Sequence, residues 1–137
     1  MATNLDKTIQ SAMSQIPECI AAGYVDMSTG MLLGVKTVDS HPQEVLDIAA
    51  AATADLFQGP NVSAIEDMFK RARGLKTNDD LHYFQEIVVF SENLLHMFAR
   101  CKKNANHVVV IVTRKSANVG MVIAKSRMAI PSLEDAL

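Results

Sequence analysis

The chain has no tryptophan, two cysteines, four prolines and a net charge of only −2 over 137 residues. Each shortage removes a class of protein. Cys19 and Cys101 share no motif spacing and cannot build a disulfide framework, so both are expected as free thiols of a cytoplasmic protein. A charge this near zero leaves no basic footprint for nucleic acid and no polybasic case for a membrane surface. No run approaches the roughly 18–20 apolar residues of a membrane span, so no membrane insertion is expected. Residues 1–7 lack the cationic-then-apolar layout of a secretory signal. There is no glycine-rich phosphate loop, no Gly-x-Ser-x-Gly elbow and no carboxylate pair that stands out as an acid–base couple. No catalytic residue, cofactor or metal site is therefore expected, and a binding module is favoured over an enzyme.

What the chain does have is apolar side chains. They make up 49% of the sequence, the top of the ordinary globular range. A chain of this length buries roughly two thirds of its unfolded surface. One domain over residues 1–137 is expected, with apolar surface left over for a subunit contact.

The most informative stretch is His107-Val108-Val109-Val110-Ile111-Val112-Thr113. It reads as a strand buried on both faces that feeds a capped helix, and so as the middle of a sheet packed between helical layers. Ahead of it, Leu5, Ile9, Ala12, Met13 and Ile16 form one helical stripe, capped by Thr3 or Asn4 and stopped at Pro17. Residues 19–27 and 31–38 form a hairpin around Ser28-Thr29-Gly30, with Gly23 and Gly34 marking a bulge or a close approach. Ser40 and Gln43 have capping-box spacing and open a long helix to Gln58, with Val45, Ile48, Ala49, Ala52 and Leu56 as its apolar positions. Its alanine run lets another helix come close. A second capping box at Ser63 and Glu66 starts a short helix with Ile65, Met68, Phe69 and Ala72 as its stripe, ending at Gly74. Residues 81–90 and 94–101 form a second hairpin, in which His96 lies opposite Val89. The last helix is expected from Ala117 to Ala129, with Val119, Val122, Ile123 and Ile130 inward and Pro131 as its stop.

Few groups suggest chemistry. The four histidines, His41, His82, His96 and His107, lack metal-ligand spacings. Cys101 beside Lys102 and Lys103 could be an activated thiol, but a small buried side chain at a strand end is the preferred reading. Arg114, Lys115 and Ser116 lie where a helix begins and could hold an anion; the plainer alternative is a capping serine with two solvated cations. Lys70, Arg71, Arg73 and Lys76 are either a contact for an acidic partner or a solvated helix face. The eight methionines read as core filler first and as an adaptable surface second.

Three local patterns carry a resemblance to a known family. Ile16-Pro17 is followed by Val25-Asp26 and then Gly30-Met31-Leu32. The long helix from Pro42 has an alanine-rich middle. Val108 to Thr113 is followed by Ser116-Ala117-Asn118-Val119-Gly120-Met121-Val122. Over nearly its whole length the chain resembles the roadblock (dynein light chain) family, a profilin-like fold. It departs at Glu18-Cys19, where the family has Gly-Val, and in residues 60–78, which are longer and more helical than the usual connection.

The resemblance implies an α/β (α+β type) fold ordered α-β-β-α-β-β-β-α. Its five-stranded antiparallel sheet would have order 2-1-5-4-3, with the long helix on one face and the terminal helices on the other. It also implies a homodimer made by pairing third strands and stacking long helices. The interface would then be Leu81, Tyr83, Gln85, Ile87 and Val89 with Val45, Ile48, Ala49, Ala52 and Leu56. The implied function is a non-enzymatic scaffold or regulator of a small Ras-like GTPase, or an adaptor subunit. Two other readings stay open: a PAS- or GAF-like small-ligand sensor, with Gln85, Glu86 and His96 as the polar strand residues, and an enzyme using Cys101 or a histidine.

Overall fold

The computed structural model describes residues 3–39, 43–74, 82 and 84–137, with residues 43–47 of the long helix described by backbone alone. The elements are α1 (Asn4–Gln15), β1 (Cys19–Asp26), β2 (Met31–Thr37), α2 (Gln43–Gln58), α3 (Pro60–Ala72), β3 (Glu86–Phe90), β4 (Leu94–Arg100), β5 (His107–Arg114) and α4 (Val119–Asp135). The strands form one antiparallel sheet in the expected order, β2-β1-β5-β4-β3. Val89 pairs with His96, as the second hairpin predicts.

The face of the sheet under α1 and α4 carries the larger core. Tyr24, Leu95, Met97, Val109 and Ile111 pack there with Leu5 and Ile9 of α1 and Val122, Ile130 and Leu133 of α4. Thr3 caps α1, accepting from the Asp6 N–H at 3.0 Å while the Asp6 carboxylate accepts from the Thr3 N–H at 3.2 Å. Gly34 is where α1 crosses β2. A Cβ there would stand 2.9 Å from both Leu5 Cδ2 and Ile9 Cδ1, so any side chain at this position would make those two side-chain ends shift.

The opposite face is covered less completely. Phe57 of α2 is fully buried over Val25, Met27, Phe98 and Val108, with Ala50 beside it. Val110 and Val112 lie further along β5 on the same face and are only half-buried. An open groove of about 370 Å³ runs between them, β1, β2 and Ala49, Ala50 and Thr53 of α2. The expected double cover of the central strand holds at Val108 and thins beyond it, where the described inward residues of α2, Ala50, Thr53 and Ala54, are small.

Three elements depart from expectation. The third strand begins at Glu86 rather than Leu81, and Phe84 and Gln85 precede it in irregular backbone. Leu81, Tyr83 and the Ser40 cap lie outside the described residues.

Helix α3 starts a turn earlier than its supposed capping box. Gly59 is the N-cap and Pro60 opens the helix, where its fixed φ costs nothing and its missing N–H is not needed. The Ser63 hydroxyl instead donates to the Gln58 carbonyl. Glu66 and Lys70 point inward, at 4% and 3% exposure, while Ile65, Met68 and Phe69 face solvent.

Helix α4 starts later and ends later than expected. Its cap is Asn118, whose side chain accepts from the Met121 N–H at 3.0 Å. It then runs through Pro131 to Asp135. An interior proline costs about 3 kcal/mol. Burial of Leu133 one half-turn on, and the Lys103 N–H donating to Glu134 Oε2 at 2.6 Å, hold the final turn in place. The inner stripe is Val122, Ser126, Ile130 and Leu133, and Met121 is exposed. No helix of the described residues is long and apolar enough to cross a membrane.

Candidate interaction surface

Among the described residues strand β3 is an outer edge of the sheet, with β4 on one side only. Its odd-numbered residues face the α2 layer: Ile87 is half-buried against that core and Val89 is 38% exposed. Gln85, expected on this strand, is tied up just before it. Its Nε2 donates to the His82 carbonyl at 2.6 Å, and its own carbonyl accepts from the Arg100 N–H at 2.8 Å. Glu86 is clasped by Arg127 of α4 through two bonds of 2.6 Å, and that guanidinium holds the Glu86 carboxyl below the usual range. An edge so placed presents unpaired backbone groups and an apolar flank, the condition for adding another strand.

Helix α2 is two-sided. Ala50, Thr53, Ala54 and Phe57, at i, i+3, i+4 and i+7, turn to the sheet. Ile48, Ala52 and Leu56 turn away from it, Ile48 at 69% exposure, while the exposed Ala49 lies on the rim of the groove. Of the helix residues expected at a subunit contact, Ile48, Ala52 and Leu56 therefore sit on the outward face, Ala49 lies on the groove rim, and the side chain of Val45 lies outside the described residues.

The expected cationic contacts divide. Arg71 and Arg73 are exposed at the end of α3, but Lys70 is buried and belongs to no solvated patch. Arg114 and Lys115 are exposed, yet the Ser116 hydroxyl donates to Glu18 Oε1 at 2.7 Å. Ser116 neither caps α4 nor waits for an anion, since a carboxylate already occupies it.

Glu18 itself sits at φ +53°, in the left-handed region, at the place where the resemblance expects glycine. A side chain there costs about 1–2 kcal/mol. Glu18→Gly relieves that strain but loses the bond to Ser116 and adds the greater freedom of glycine in the unfolded chain, so its unfolding stability in urea melts is expected within about 0.5 kcal/mol of the parent. Glu18→Ala, which keeps the strain and loses the bond to Ser116, should fall below both.

Cys101 is buried beside Tyr24, and burial pushes its thiol up to about 11. At pH 7 only about one such thiol in ten thousand is ionised. Iodoacetamide labelling of Cys101 should be at least about a hundredfold slower in the native protein than in urea, read by mass spectrometry. Burial also raises the Cys19 thiol. Among the described residues no three His, Cys, Asp or Glu side chains gather at one point. His107 Nδ1 lies 2.8 Å from the Tyr24 hydroxyl, and the His96 ring stacks on Phe98 with its Nε2 3.1 Å from the Ser91 hydroxyl. Of the polar residues considered for a ligand pocket, only His96 lines the apolar groove.

One functional-looking residue has no counterpart among the sequence expectations. Arg100, at the end of β4, is 2% exposed. Its Nε donates to the Phe84 carbonyl at 2.9 Å, its Nη1 to the Ala105 carbonyl at 2.6 Å, and its guanidinium carbon stands 5.0 Å from the centre of the Phe57 ring. Burial works against its charge, and Glu66 of α3 lies close enough to offset part of that cost, while Nη2 is buried with no hydrogen-bond partner among the described residues. Strand alternation carries the signal: Arg100 shares a face with His96 and Phe98, which points it into the α2 layer.

The fold matches solved structures over nearly the whole chain. The roadblock/LC7 domain from Streptomyces avermitilis superimposes with a TM-score of 0.65 at 13% identity, covering 95% of this chain and 94% of that one. The chain has the roadblock/LC7 fold. The gliding protein MglB from Thermus thermophilus has the same roadblock architecture, with a TM-score of 0.68 at 17% identity over 97% of this chain and 87% of its own. So does an MglB solved with a tetrameric arrangement, with a TM-score of 0.67 at 18% identity over 97% and 90%. No protein-family model matches the sequence, and no curated protein matches it.

Proposed function

We propose that this chain is a non-enzymatic regulator or scaffold that acts as a homodimer and engages a small Ras-like GTPase or a larger assembly. The observation that carries the reading is the pair of apolar surfaces that a single copy leaves open. These are the edge strand with Val89 and Phe90, and the outward face of α2 with Ile48, Ala52 and Leu56. Exposed apolar area of this kind marks association sites. The roadblock fold supports the same conclusion, as does the tetrameric arrangement reported for one solved MglB. The GTPase is the partner class implied by the family resemblance.

Light scattering at micromolar concentration is the first test: a dimer is expected, and a strict monomer would refute the scaffold reading. Capture experiments with GTP- and GDP-loaded Ras-like proteins from the same cells test the partner class. Binding that ignores the nucleotide, or no binding at all, would remove the GTPase. The small-ligand reading has the apolar groove in its favour, but Gln85 and Glu86 are committed elsewhere.

A further inference from the structure

We draw no further inference here: the strongest candidate, the apolar groove between α2 and the sheet lined by Val35, Val110, Val112 and His96, carries nothing because nothing in the structure shows what covers it.

Discussion

Arg100→Ala is expected to lower the unfolding free energy by about 3–5 kcal/mol, the cost of removing one member of a buried charged network. Three losses combine. The carbonyls of Phe84 and Ala105, both in half-buried segments, lose their donors. The Phe57 ring loses the cation stacked over it, and with it part of the packing that anchors α2 to the sheet. The buried carboxylate of Glu66 loses a neighbouring positive charge, although His82 stays beside it. Arg100→Lys should recover only a fraction, because one ammonium on a flexible stem cannot fork to two carbonyls lying in different segments. Urea unfolding followed by circular dichroism measures both. A loss below about 1 kcal/mol for the alanine variant would mean that the guanidinium costs as much to bury as its bonds return.

The fold is legible where its signals are local and periodic. The Leu5-Ile9-Ala12 stripe, the valine ribbon at 108–112 and the turn at Ser28-Thr29-Gly30 each follow from spacing that any packing must respect. Strand order is not legible that way. It comes from the resemblance, since nothing in hairpin spacing says that β5 lies between β1 and β4. The errors sit where tertiary contacts outweigh local preference. Pro131 reads as a stop until Leu133 beyond it is seen to fill the core. Ser63 and Glu66 have the right spacing for a cap, but Gly59 and Pro60 begin the helix first and send Glu66 to His82 instead.

The candidate surface is half legible. Spacing finds the apolar positions on α2, but an alanine-rich helix is nearly symmetrical in hydrophobicity, so its inward and outward faces look alike in the sequence. Phe57 decides between them: burial of that one ring fixes the rotation of the helix and leaves Ile48, Ala52 and Leu56 outside. In α3 the opposite holds. Its stripe stands out in the sequence, and the usual rule points that stripe inward, whereas the buried Glu66 and Lys70 on the other side turn it outward.

Ala52→Glu is expected to abolish the dimer while leaving the folded monomer almost unchanged. Ala52 lies mid-way along the outward face of α2, exposed in a single copy, so a glutamate there meets water and costs the monomer within about 0.5 kcal/mol. In the proposed dimer the same position is covered by a second helix drawn close by alanines. A carboxylate trapped there without a partner costs several kcal/mol, and two-fold symmetry places two of them in one contact. A weakening of about a thousandfold or more in dissociation constant follows. Light scattering across a concentration series, with a urea melt of the variant beside it, separates the two effects. Loss of fold would place Ala52 in the core, against its exposure. A dimer of undiminished affinity would show that the copies meet through β3 without the middle of α2.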